Sequence, residues 1–232
     1  ALIRTACRLT ERGFRRVLRR VKPGISEAQV EAEFAHEFIS RRGQFAYPPI
    51  IASGPNACAL HYNENAAVCR AGELLLLDVA AGYANYNSDL TRTIPVSGRY
   101  SRRQRRVYDA VLRVFRECVR GLVPGKRTKD WQKEAEKMIE EELLQLGLLT
   151  PRAVRKQDPN QPAFKEYFMH GGFTTEPFQA GWVMTVEPAI YVKKEGFGVR
   201  IENTVLITEQ GPVDLMADIP IEAEEIEELM NK

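Results

Sequence analysis

Four acidic residues stand inside or beside the most apolar stretches of this chain, and they restrict what it can fold into. Asp78 ends the run L-L-L-L-D, Asp89 lies in N-Y-N-S-D-L-T-R-T-I-P-V, Glu187 in V-M-T-V-E-P-A-I-Y-V, and Glu202 in G-V-R-I-E-N-T-V-L-I. Each stretch reads as a strand from its apolar and β-branched content. An ionised carboxylate in such a strand is expensive unless it is paired, protonated or bound to a cation. Asp89 follows Asp78 by eleven residues, a spacing that in a hairpin can set both side chains on one face of neighbouring strands. Separate salt bridges, such as Asp89 with Arg92 and Glu202 with Arg200, are one answer. Hard divalent ions with oxygen ligands are the other.

The four acids fall into two matched halves. The P-G break at Pro23–Gly24 recurs at Pro124–Gly125, 101 residues later, and the E-A-E of Glu31–Glu33 recurs at Glu134–Glu136, 103 residues later. Each half runs helix, P-G break, helix, then strands with two carboxylates. The expected architecture is α+β: a single domain over 1–232, with halves of about 1–100 and 101–232 around one curved sheet and helices outside. The four carboxylates should then converge, because shared metals require it.

The walk along the chain fills in the elements. Residues 2–21 repeat apolar positions at helical spacing. Ser26 with Gln29, and Ser101 with Gln104, are capping-box pairs that should open two more helices. D-W-Q-K-E-A-E-K-M-I-E-E-E-L-L-Q-L-G reads as a fourth helix and I-E-A-E-E-I-E-E-L-M as an acidic closing one. F-A-Y-P-P-I-I-A-S reads as a strand and G-P-N-A-C-A-L-H-Y-N-E-N as loop. E-L-L-L-L-D-V-A-A and N-Y-N-S-D-L-T-R-T-I-P-V read as two strands joined around Gly82, and 148–163, with three prolines, as irregular.

Composition excludes several function classes. The 33 Lys and Arg nearly balance the 31 Asp and Glu, so no strong field draws nucleic acid or an anionic membrane. The cluster Arg102, Arg103, Arg105, Arg106 reads as a solvated helix start. No apolar run is long enough to span a bilayer, and no signal peptide is visible. Cys7, Cys58, Cys69 and Cys118 form no C-x-x-C pair and read as reduced thiols of a cytoplasmic protein. The chain begins without Met and already in helical pattern, so a preceding segment is expected.

L-L-L-L-D-V-A-A-G-Y-A-N-Y-N-S-D-L-T-R-T-I-P-V, T-V-E-P-A-I-Y-V and G-V-R-I-E-N-T-V-L-I-T together resemble the metallopeptidases of the pita-bread fold. A-S-G-P-N-A-C-A-L-H-Y-N-E-N narrows the resemblance toward the aminopeptidase P (Xaa-Pro aminopeptidase) and prolidase branch. It covers essentially the whole chain. It implies two divalent ions, manganese first with cobalt or zinc as alternatives. Asp78 would bind one ion, Asp89 and Glu202 both, and Glu187 the second ion beside the attacking water. His61 matches a histidine that contacts substrate and helps proton transfer, although as a residue alone it could be an ordinary loop histidine. Tyr191 and Arg200 match positions that support the ligands. The implied substrate is a peptide with proline second, and a homodimer is one assembly the resemblance allows. The N-terminal domain of such relatives is not seen here.

One part of the family pattern is broken. It runs H-G-x-x-H-x-x-G and then a further H-D before glycine, with the second histidine as ligand. Here His170-Gly171 matches the opening and Gly172-Phe173 the close, while Thr174 stands four residues after His170. His170 is therefore read as the flanking histidine, near substrate, with about a dozen residues missing between 171 and 172. Three functions follow: an Xaa-Pro aminopeptidase; a prolidase restricted to Xaa-Pro dipeptides; or a non-catalytic module that binds peptide or protein, against which the four retained carboxylates argue.

Overall fold

A computed structural model of the chain describes residues 1–158, 161–168 and 176–232. Helix α1 (Leu2–Leu18) buries Ala6, Cys7, Leu9, Phe14, Val17 and Leu18, the apolar stripe of its sequence. Helix α2 (Glu27–Ser40) opens on the expected capping box: the Gln29 amide donates to Ser26 Oγ at 3.1 Å and the Ser26 amide to Gln29 Oε1 at 2.9 Å. The two helices touch at Gly13, where an added Cβ would stand 2.8 Å from the Phe34 ring.

The strands follow: β1 (Gln44–Phe45), β2 (Ile50–Ser53), β3 (Leu74–Asp78), β4 (Ala81–Tyr83), β5 (Tyr86–Asn87) and β6 (Thr91–Pro95). The second half supplies α3 (Arg102–Arg120), α4 (Thr128–Gln145), α5 (Pro151–Lys156), β7 (Val183–Val186), β8 (Ala189–Val192), β9 (Phe197–Arg200), β10 (Asn203–Thr208), β11 (Gly211–Asp214) and α6 (Ala223–Met230). Every strand pair among the described residues is antiparallel, in the orders β2-β3-β6, β1-β4-β5, β11-β10-β7 and β8-β9. A bridge between Thr91 and Glu202 joins the halves: the Glu202 amide donates to the Thr91 carbonyl at 3.0 Å.

Several strands are shorter than their sequence pattern suggests. Pro48 and Pro49 lack the amides a ladder needs, so F-A-Y-P-P-I-I-A-S divides into β1 and β2. Gly82 lies within β4, and the turn falls two residues later, at Ala84 and Asn85, both with positive φ. The stretch 148–163 contains α5: Pro151 sits at its first turn, where a missing amide costs nothing, and Thr150 caps Ala153 at 3.2 Å. The arginine cluster is more than a solvated helix start. Arg103 pairs with Glu195 at 2.7 Å and donates to the Leu146 carbonyl, and Arg105 pairs with Asp109 and Glu224, so it ties α3 to its neighbours. All four cysteines are free. No helix among the described residues is long and apolar enough to cross a membrane.

Candidate metal centre

Strand register assembles the site. Asp78, the last residue of β3, stands opposite Ile50 of β2 and Thr91 of β6. Asp89 precedes Thr91 by two residues, so the alternation of extended chain turns Asp89, Thr91 and Thr93 to one face. The bridge at Thr91 delivers Glu202 from the other half, and Thr91 Oγ1 donates to Glu202 Oε2 at 2.6 Å. The result is a cluster of Asp78, Asp89 and Glu202 whose carboxylate oxygens lie within 4.8 Å of one another. Glu187, between β7 and β8, lies outside that cluster but lines the same open cavity of about 300 Å³, together with His61, Asn63 and Tyr47.

The placement differs in detail from the sequence expectation. Asp89 precedes β6 instead of lying within a hairpin strand, and Glu187 and Glu202 fall at strand junctions. Only Glu202 is fully buried, at 2% exposure, and the other three acids are half-buried. The reason is geometric: a carboxylate in mid-strand would be sealed against its neighbours, whereas one at a strand end can face a cavity.

The cations do not neutralise this cluster one by one. Neither sequence-expected pair forms. Arg92 is buried and donates to the carbonyls of Thr91, Glu202 and Pro220. Arg200 gives Nη2 to Asp78 Oδ2 at 2.5 Å, Nη1 to the Tyr191 hydroxyl at 2.8 Å and Nε to Thr91 Oγ1 at 3.3 Å. Burial therefore pushes Asp89 up to about 7, helped by the charges of Asp78 and Glu187 and opposed by the Tyr47 hydrogen bond and Arg200. Burial, with Asp89 and Glu187 nearby, holds Glu202 well above the usual carboxylate range. An all-oxygen donor set that cannot fully ionise by itself fits hard divalent cations.

These shifts have a consequence for the metal-free protein. A carboxyl with a folded pKa above its unfolded value keeps its proton in the folded state after the unfolded chain has lost it. For Asp89, folding then loses stability as pH rises from about 4 to about 7, and Glu202, also held high, acts in the same direction. Glu27, Glu224 and Glu228, held low, act below that window. In EDTA the Tm should fall from pH 5 to pH 7, and Asp89→Asn should flatten the slope; a Tm that rises across the window in both proteins would contradict it.

Reading by residue type missed several groups. The Tyr47 hydroxyl donates to Asp89 Oδ1 at 2.7 Å; Thr204 Oγ1 accepts from the Asp89 amide at 2.9 Å; Thr91 links Glu202 to Arg200. Thr91 was findable from its period-2 spacing to Asp89, but no local signal marks Tyr47 or Thr204, which arrive from elsewhere in the sequence. His61 lines the cavity, and Tyr191 meets Arg200. His170 and the 171–172 junction lie outside the described residues.

Residues 1–209 match the family model described as metallopeptidase family M24. The chain is 34% identical to an Xaa-Pro aminopeptidase of Haemophilus influenzae over 259 residues, covering 99% of this chain and 59% of that protein. It is 33% identical to the Xaa-Pro aminopeptidase of Escherichia coli, covering 99% and 57%. In structure it resembles zinc-substituted E. coli aminopeptidase P in complex with product (TM-score 0.91, 32% identity, 99% of this chain and 57% of that one) and Pseudomonas aeruginosa aminopeptidase PepP (TM-score 0.91, 32% identity, 99% and 58%). The chain thus spans under two thirds of the length of these relatives. The H. influenzae alignment also runs over 259 residues against the 232 of this chain, so the relative holds residues with no counterpart here.

Proposed function

The chain belongs to metallopeptidase family M24, and we propose that it is the catalytic unit of an Xaa-Pro aminopeptidase, cleaving the bond before a penultimate proline. The observation that carries this reading is the convergence of Asp78, Asp89 and Glu202, from both halves of the chain, within 4.8 Å in one cavity. The names of the relatives support the substrate class.

In this reading Asp78, Asp89 and Glu202, with Glu187 beside them in the same cavity, would hold the two divalent ions. Manganese is the first expectation, with cobalt or zinc as alternatives. Such ions supply Lewis-acid polarisation of a carbonyl and a lowered pKa of water at neutral pH. The chain's own groups do the rest. Thr91 and Tyr47 fix the carboxylates by hydrogen bonds. Arg200, held by Tyr191, fixes Asp78. Glu187 would take a proton from the attacking water, and His61, which lines the same cavity, would contact substrate and move a proton toward the leaving amine. His170 is assigned to the substrate side of the site by its sequence position alone.

Rates with manganese on Ala-Pro-Ala and on Ala-Pro test the reading. An aminopeptidase prefers the tripeptide, whereas a clear preference for the dipeptide would make it a prolidase. Peptide binding without hydrolysis or bound metal would make it a non-catalytic module.

A further inference from the structure

His61 sits on the segment 54–67, which opens on a short 3-10 helix (Gly54–Cys58) and is otherwise irregular, and such a segment needs something to fix it if its imidazole is to meet a substrate reproducibly. The fixing group comes from helix α2. Glu27 is completely buried, an unusual state for a carboxylate, and it lies far from the metal cluster in sequence. Its Oε1 accepts from the Ser53 amide at 2.7 Å, Ser53 Oγ at 2.8 Å and Asn56 Nδ2 at 3.3 Å; its Oε2 accepts from the Tyr62 hydroxyl and the Ala67 amide, both at 2.8 Å. The donors thus come from the end of β2 and from the start, middle and end of the segment. In return the Glu27 amide donates to the Ala67 carbonyl at 2.9 Å.

A second fastening lies one turn further along α2. Asn65, with φ of 45°, donates through Nδ2 to Glu31 Oε2 at 2.9 Å and to the Pro49 carbonyl at 3.0 Å, while its Oδ1 accepts from the Ile51 amide at 2.9 Å. β2 is therefore sewn to the same segment, and β2 is the strand whose Ile50 faces Asp78. Between the two fastenings the chain presents His61 and Asn63 to the cavity lined by all four acids.

We propose that Glu27 is a positioning residue: it holds the 54–67 segment so that His61 faces the carboxylate cluster. The chemistry suits the task. An ionised carboxylate can only accept, and all five of its partners are donors. Its site at the first turn of α2 also favours negative charge. Those hydrogen bonds overcome the upward push of burial and keep its pKa below the usual value. Glutamine at this position would turn an amide group toward donors, so Glu27→Gln should loosen the segment.

The inference rests on the aminopeptidase reading only for its consequence in catalysis, and the test separates the two. Glu27→Gln and the gentler Tyr62→Phe, which removes one of the five bonds, are made in the full chain. Hydrogen exchange across 54–67 should become about tenfold faster or more, as loss of a charge-assisted hydrogen bond implies, with β3 and β6 unchanged. Manganese added alone should broaden the His61 imidazole resonance in the parent, and less in either variant. On Ala-Pro-Ala the loss from Glu27→Gln should be non-additive with that from His61→Ala. Unchanged exchange and broadening in both variants would overturn the proposal, as would full additivity. If Glu27→Gln does not fold, Tyr62→Phe still decides through exchange and broadening. If the exchange and broadening respond as expected but the parent hydrolyses neither peptide, the positioning role stands and the aminopeptidase reading fails.

Discussion

Inserting a segment of about a dozen residues with the pattern x-x-H-x-x-G…H-D between Gly171 and Gly172 should raise kcat/KM on Ala-Pro-Ala by about 100-fold or more, since even groups that merely support a ligand are worth 10–100-fold. It should also raise bound manganese to two ions per chain. The expectation comes from the broken family pattern at His170. It has a physical side as well. The described residues bring together acidic donors served by one guanidinium, that of Arg200, and a complete site would share that charge among two ions and an imidazole. The first measurement is the mass spectrum of the peptides that span this junction in the protein made from its natural gene. A peptide that runs on from His170-Gly171 through about a dozen residues before Gly172-Phe173 would mean that the segment is present in the protein itself. If the 232-residue chain already binds two manganese ions tightly and turns over as fast as the insertion variant, the missing-ligand reading is wrong.

Much of the fold was legible because local and global signals agree. The capping boxes at Ser26 and Ser101 open α2 and α3 where the S-x-x-Q pattern puts them, and the apolar stripe of residues 2–18 packs inward as written. The carboxylates were legible for a different reason. A charge beside four leucines needs a partner, and that need is visible without coordinates. Strand limits were not legible in the same way. The pairing of β3 with β6 follows the expected hairpin, but the insertion of β4 and β5 between them and the breaks at Glu187 and Glu202 depend on which other strands meet, and period-2 alternation says nothing about partners. Tyr47 and Thr204 were hidden for the same reason: 42 and 115 residues separate them from Asp89, which they bind. Glu27 was hidden most deeply, because it reads as an ordinary acidic residue at a helix start. Its burial depends on Ser53, 26 residues later, and on the segment that follows it.

Asp89→Asn, made in the chain that carries the inserted segment, should lower kcat/KM on Ala-Pro-Ala by about 100-fold or more. Tyr191→Phe should cost less than about tenfold, the scale of one hydrogen bond. The contrast follows from where the two side chains stand. Asp89 lies in the three-acid cluster and lines the cavity, so its oxygens are assigned to both ions. The change to asparagine keeps shape and one acceptor but removes the charge. Tyr191 touches the cluster only through Arg200, which keeps its 2.5 Å contact to Asp78 and its bond to Thr91 when the Tyr191 hydroxyl is gone. The metal measurement should follow the same order. Asp89→Asn should bind fewer than two manganese ions at concentrations that saturate the parent, while Tyr191→Phe should still bind two. The Asp89 variant should also be more stable than its parent in EDTA near pH 7, because a group that resists ionisation to about 7 has been replaced by a neutral one. Loss of activity together with a gain in metal-free stability is what a site built for ions predicts and a structural carboxylate does not. If Asp89→Asn keeps parental turnover in saturating manganese, the shared-ligand role is lost, and Asp78 with Glu202 would have to account for the site.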